Sequence, residues 1–293
     1  MKRSVGKKIE IVRECMPEIE NKSALAKELG ISRQALYYQP KKIIQDKELK
    51  KQIEDVMKKH RAYGHRRIAL ELKRNKKPIL RVMNIFGLRP KIMRKRKNPD
   101  KPEDRGKPEV QGINVSKILC PIQANVIWAG DFTYFDFKGR FWYLATVIDI
   151  HTREIIGWHF ANHHTTDLII KAFEDALRRS KTKPKFFHSD QGSEYVSGRY
   201  EKLLKSHGIQ PSFSRKSSPW QNGFQESFYS NFKLEIGNTK RFTEIGELIE
   251  FVHQQIAYYN NKRIHTSIKM PPTIFRLSLK EFSTNKTTAL SRF

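Results

Sequence analysis

Between residues 125 and 160 the chain is dominated by β-branched and aromatic positions, broken only by short polar turns. The run 125–137 (NVIWAGDFTYFDF) is closed by Lys138-Gly139 and followed at once by 140–150 (RFWYLATVIDI) and 154–160, so the spacing predicts three strands in an antiparallel meander. The period then changes. Leu168, Ile169, Ala172, Phe173, Ala176 and Leu177 recur at helical spacing behind Thr165 or Thr166 as N-cap, which predicts a helix on the meander. A strand at 185–188, a helix over 198–207 stopped by Gly208 and a strand at 209–213 come next. Phe224, Phe228 and Phe232 repeat every four residues, and Ile245, Leu248, Ile249, Val252, Ile256 and Tyr259 carry the helical period on toward the end. Strands paired first antiparallel and then through helical crossovers predict an α/β fold: a mixed sheet, antiparallel meander plus parallel strands, with flanking helices.

Ahead of this core, KSALAKELGISRQALYYQP places Leu25, Ala26, Leu29, Gly30, Ile31 and Leu36 at helix-turn-helix spacing, with Ala26 small enough for helix contact and Gly30 in the turn. Spacing alone fits a plain helical hairpin nearly as well. Charge favours DNA: 57 Lys and Arg face 30 Asp and Glu over 293 residues, net +27, and residues 1–110 hold 32 basic and 14 acidic residues, net +18. Arg33 and Gln34, at the start of the recognition helix, are therefore candidate DNA contacts. A helix from about Asp46 carries Leu49, Ile53, Val56 and Met57 on one face and leads through His60 to Ile68 into a short helix ending at Leu72. Arg66 and Arg67 there are candidates for clamping phosphates, and His60 and His65 read as basic surface rather than metal ligands. After Leu88, RPKIMRKRKNPDKPEDRGKPEVQG has four prolines and two glycines among dense charge, which predicts a flexible basic linker. The predicted division is 1–44 helix-turn-helix, 45–92 a second helical, helix-turn-helix-like DNA-binding region, 93–114 linker, 115–280 catalytic core with C-terminal helices, and 281–293 tail.

Cys15 and Cys120 are the only cysteines and lack partners at zinc spacing, which excludes disulfide and zinc-finger readings. The longest uncharged apolar run, Phe141 to Ile148, falls far short of the ~20 residues of a membrane span, and no signal peptide opens the chain. A cytoplasmic protein, in the bacterial cytosol or on the nucleoid and with no membrane partner, is expected.

Three acids carry the candidate chemistry. Asp131 lies on the first predicted strand, Asp190 just past the end of the strand 185–188, where open α/β sheets place ligands, and Glu226 on the Phe-striped helix with Lys233 two turns further along the same face. Any one of them alone is most simply a solvated carboxylate. Together they suit a pair of Mg²⁺ ions, since hard cations take oxygen ligands and two metals can flank a phosphorus in an in-line displacement. With 35 residues between Asp190 and Glu226, the set resembles the D,D-35-E signature of DDE transposases and retroviral-type integrases. More closely, Trp128 to Tyr134, His188 to Tyr195 and Ser218-Pro219-Trp220 through Glu226-Ser227-Phe228 resemble the OrfB-type proteins of the IS-three insertion-sequence family. Gln221-Asn222-Gly223 departs from the Asp-Asn-Ala of many relatives.

That resemblance covers roughly residues 20 to 277, and it implies a ribonuclease H-like catalytic core, a DDE-type polynucleotidyl transferase. Its activity would be hydrolysis at an element end followed by 3′-hydroxyl strand transfer, with Asp131, Asp190 and Glu226 holding two Mg²⁺ ions, for which Mn²⁺ would substitute. It also implies double-stranded DNA as partner (terminal inverted repeats and target), a homo-oligomer on DNA, and an upstream-encoded OrfA-type partner or frameshift fusion. Two alternatives stay open: a ribonuclease H-like nuclease that cuts without joining, and a non-catalytic DNA-binding regulator. Lys233 is a candidate phosphate contact, and Tyr259-Asn260, Arg263, His265, Pro271-Pro272 and Phe275 resemble the family's C-terminal box, within which Arg263 is a candidate DNA contact. Asp149 reads as a turn cap with Arg153 nearby. His188 reads as structural.

Overall fold

The computed structural model builds a sheet from β1 (Ile127–Phe137), β2 (Arg140–Asp149), β3 (Ile155–Ala161), β4 (Phe186–Ser189) and β5 (Gln210–Phe213), in the order β3-β2-β1-β4-β5. It describes residues 21–28, 30, 41–92, 123–214, 222–279 and 281, so Arg33, Gln34, the expected linker 93–114 and Ser218 to Trp220 lie outside the described residues. β1 pairs antiparallel with β2 and β2 with β3, whereas β4 runs parallel to β1 and β5 parallel to β4. The first hairpin closes because Lys138 and Gly139 both adopt positive φ, +51° and +76°, the twist that a two-residue turn needs between right-twisted strands.

Helices cover both faces, and the period-two alternation of the strands decides which side chain goes where. From β1, Ile127, Ala129, Phe135 and Phe137 join Leu144 and Ile148 of β2 on one face, under α7 (Gly223–Ile236) and α8 (Ile245–Asn261). Trp128, Ala145 and Val147 point the other way, into a cluster with Phe173 of α5 (Thr166–Ser180) and Tyr200 and Leu204 of α6 (Gly198–Ser206). Each large apolar side chain so buried contributes on the order of 1.5–3 kcal/mol. An antiparallel meander extended by two parallel strands and sandwiched by helices is the ribonuclease H-like fold that the pattern predicts, with strand ends moved by a residue or two.

β3 meets α5 at close range. A Cβ on Gly157 would collide with the Ala172 carbonyl and the Ala176 amide of the helix backbone. Backbone cannot move aside as a flexible side chain can, so Gly157→Ala is expected to cost about 3 kcal/mol, read as a lowered urea midpoint at unchanged slope. An unchanged midpoint would show that the helix stands further off than the structure has it.

The chain divides into two compact units, Met1–Asp55 with Lys77–Leu88, and Val56–Lys76 with Arg89–Phe293. In the first unit, α1 (Lys22–Glu28) falls where the first helix of the helix-turn-helix was expected, and Asn21 caps it by accepting from the Ala24 amide at 3.1 Å. Ala26 is buried in this unit, as are Leu49 and Ile53 of α2 (Lys41–Lys59) and Ile79 and Val82 of α4 (Lys76–Ile85). Arg81 holds Asp46 through two hydrogen bonds of 2.5 Å, and that guanidinium keeps the Asp46 carboxyl below the usual range. In the second unit, α2 ends and α3 (His65–Glu71) follows, ahead of the sheet. Among the described residues no helix is long and apolar enough to cross a membrane.

Candidate active site

Strand register brings the first two acids together. Ala129 of β1 pairs with His188 of β4 in parallel, so Asp131 on β1 and Asp190, just past the end of β4 at Ser189, each follow that pair by two residues. Asp131 accepts from the Phe132 amide at 2.8 Å, and Asp190 accepts from the Gly192 amide at 3.0 Å. Burial, and then the charge of Asp190, pushes the Asp131 carboxyl up to about 8, with Glu226 adding to the rise and Lys233 opposing it. Asp190 is raised as well, by burial first, against the stabilising Gly192 amide. Two carboxylates whose charges are disfavoured by burial and by neighbouring acids are hard oxygen donors in a site where a divalent cation would be welcome. Among the described residues no three His, Cys, Asp or Glu side chains form a closed metal-ligand group. The fold thus assembles an Asp131–Asp190 pair, with Glu226, exposed on α7, in electrostatic reach of Asp131.

The neighbours of the pair are tightly fitted. A Cβ on Gly130 would meet the Phe187 ring at 2.5 Å, so β1 passes that ring only as glycine. Beyond Asp190, Glu194 takes an ion pair of 2.9 Å from His164, and a Cβ on Gly192 would lie 3.0 Å from Asp190 Oδ1 and 3.3 Å from Glu194 Oε2. Burial raises the Glu194 carboxyl, but hydrogen bonds, chiefly from His164, bring it below its ordinary value. Glu194 and His164 escaped the sequence reading because their pairing spans 30 residues.

Behind Asp131, α7 is locked to the sheet by a buried polar cluster. Gln225, fully buried beside Glu226, donates to the carbonyls of Ala129 (2.7 Å) and Thr146 (3.2 Å) and accepts from the Thr146 hydroxyl at 3.0 Å. Tyr229, one turn on, donates to the Asp131 carbonyl at 2.6 Å and lies 2.8 Å from the Thr146 hydroxyl, Thr146 being the cross-strand partner of Asp131. Sequence reading missed all three residues. The available signal was the i, i+4 pair Gln225 and Tyr229, flanking Glu226 in an otherwise apolar helix face.

The other candidates divide. Lys233 lies over the Tyr134 ring at 4.7 Å, on the flank of β1, and Arg66 is exposed. Arg67 donates to the Ile264 carbonyl at 3.1 Å, and Arg263, 2 % exposed, pairs with Glu235 at 2.8 Å, so both hold the fold together where the sequence reading set them on DNA. His60 is not a surface residue: it is buried, stacked on Tyr63 at 4.3 Å and bonded to the Tyr258 hydroxyl at 2.7 Å. His188 is buried against the Ser212 hydroxyl at 2.9 Å, as a structural histidine would be. Asp149 does cap its turn, accepting from the amides of Asn125, His151 and Thr152, with Arg276 at 3.8 Å and Arg153 nearby, its amide donating to the Asp149 carbonyl at 2.8 Å. The Arg153 guanidinium lies over the Phe224 ring at 3.9 Å.

Two family models, both described as integrase core domain, match residues 121–219 and 207–272. The chain is 32% identical over 250 residues to a protein described as transposase InsK for insertion sequence element IS150 of Escherichia coli K12, covering 82% of this chain and 87% of that one. It is 35% identical over 156 residues to the transposase for insertion sequence element IS904 of Lactococcus lactis subsp. lactis, covering 53% of this chain and 62% of the relative. Among solved structures it is similar to the catalytic core domain of HTLV-2 integrase in complex with magnesium, with a TM-score of 0.41 and 18% identity over 53% of this chain and 98% of that chain. The chain belongs to the insertion-sequence transposases of the retroviral-integrase superfamily.

Proposed function

We propose that this transposase hydrolyses a phosphodiester at each end of its element and then joins the freed 3′ hydroxyl to a target strand, with Asp131, Asp190 and Glu226 as its metal-holding set. The observation that carries this reading is that Asp131 on β1 and Asp190 just past β4 each follow the paired Ala129 and His188 by two residues, with proton affinities raised by burial and, at Asp131, by the other's charge. Proteins of the superfamily are polynucleotidyl transferases that use divalent metal ions and act on DNA. Two Mg²⁺ ions, or Mn²⁺ in their place, would lower the pKa of the attacking hydroxyl and steady charge on the leaving oxygen. Asp131 and Asp190 would orient that chemistry from the rigid sheet, and Glu226 would add the third carboxylate from α7. Lys233 would steady a phosphate close to the cut, where its charge already acts on Asp131. Arg33 and Gln34 would read the terminal repeats, Arg66 would hold backbone, and the active form would be a homo-oligomer on DNA, alone or with an upstream-encoded partner.

The test is a strand-transfer assay with the full chain and duplexes carrying the element ends. Cleaved and joined products are expected in Mg²⁺ and in Mn²⁺, and neither in excess EDTA. Cleavage without joining would leave a nuclease. Activity that survives EDTA would remove the metal from the mechanism, and binding of the ends without chemistry in any metal would leave a regulator.

A further inference from the structure

Two stretches that the sequence reading kept apart, residues 56–76 and the C-terminal box, are packed on each other within the larger unit. Tyr63 accepts from the Ile264 amide at 2.7 Å, Arg67 donates to the Ile264 carbonyl, and His60 bonds Tyr258. They enclose a groove of about 660 Å³. Its lining includes Met270 together with Ile264, His60 and Tyr258, the last three held by the bonds just described. Lys59, Lys73, Lys262 and Lys269 line it, all four exposed, against one acid, Glu71. Among the described residues none of these four lysines is in an ion pair, while Glu71 lies 4.0 Å from His60.

We infer that this groove is a sequence-independent binding site for the phosphodiester backbone of duplex DNA, resting on the reading of the chain as a transposase that acts on DNA. Four ammonium groups around a preformed concavity create a local positive potential, and the groove spans far more than a single phosphate would fill. Lysine is a flexible point charge rather than a rigid two-pronged fork, so it holds phosphates without reading base edges. The groove takes its lining from the second helical region and the C-terminal box, and neither residues 1–44 nor the three acids line it.

Affinity for a random-sequence duplex is measured against salt for the wild type, for a groove variant with Lys59, Lys73, Lys262 and Lys269 all changed to Gln, and for a charge-matched variant with the exposed Lys171, Lys185, Lys202 and Lys205 changed to Gln. The groove variant should lower the slope of log affinity on log salt by about 3 to 4, at about 0.9 for each phosphate no longer neutralised, and the charge-matched variant by less than about 1. Changing the same four groove lysines to Arg should keep the wild-type slope. Equal losses in both Gln variants would reduce the groove to a share of the overall charge and overturn the inference, as would a groove variant with the wild-type slope. Displacement of the groove-dependent signal by a poly-glutamate peptide, with no response to unlabelled duplex, would reassign it to an acidic protein. Because the slope needs no catalysis, an inactive wild type would count against the transposition chemistry alone.

Discussion

Asp131→Asn, Asp190→Asn and Glu226→Gln should each lower cleavage and joining of element-end DNA by roughly a thousandfold or more while DNA affinity is kept, because a metal donor supports several kcal/mol of transition-state charge. Each change is isosteric, so what is lost is the negative charge. Affinity rests on the basic residues, and neutralising one acid relieves repulsion between the pair and a phosphate backbone, so metal-free binding should hold or tighten. Asp136→Asn is the internal control: Asp136 lies exposed on the same strand and accepts from the Gly139 amide, a task that an Asn side chain also performs. Asp149 is unsuitable for that purpose, because its fully buried carboxylate accepts three backbone amides and an Asn NH₂ would face donors. A Glu226→Gln protein that cuts and joins at the wild-type rate would sink the third ligand, and an active Asp131→Asn protein would sink the site.

What was legible in the sequence is what short-range pattern determines. The meander followed from β-branched and aromatic runs closed by Lys138-Gly139, the end of α6 from Gly208, and the position of Asp190 just past β4 from the short apolar run before it. Residues whose partners lie far along the chain were misread. His60 looked like basic surface because the Tyr258 that buries it is 198 residues away, and Arg263 looked free for DNA because Glu235 meets it only once α7 and α8 are side by side. Arg276, whose guanidinium lies 3.8 Å from Asp149, was not visible as its neighbour because 127 residues separate the two, whereas Arg153, four residues on, was. A polar side chain inside an apolar helix face, such as Gln225, shows in sequence only as a break in pattern, and which backbone carbonyls it satisfies depends on tertiary packing.

Gln225 and Tyr229 should prove to be positioning residues for the acids they touch neither as ligands nor as neighbours in charge. Their bonds reach the Ala129 and Asp131 carbonyls on either side of Gly130, so they set the distance and rotation of α7, and with it Glu226, relative to the strand that carries Asp131. Tyr229→Phe removes one hydroxyl from a buried network and should cost about 1–2 kcal/mol of stability; Gln225→Leu keeps the volume but leaves two carbonyls and a hydroxyl without their partner, and should cost about 3. If the cluster only stabilised the fold, activity would fall in step with the folded fraction. A positioning role predicts more: below the melting transition, with the variants fully folded by circular dichroism, kcat for strand joining should drop by about ten- to a hundredfold at unchanged KM for DNA, since a misplacement of about 1 Å costs that much. The Mg²⁺ concentration for half-maximal rate should rise with it, because Glu226 would be presented less well. Thr146→Ser, which retains the hydroxyl that both residues use, should leave kcat near the wild type. Full activity in folded Gln225→Leu protein, or a loss confined to KM, would show that the cluster braces the core and leaves the acids to find their own place.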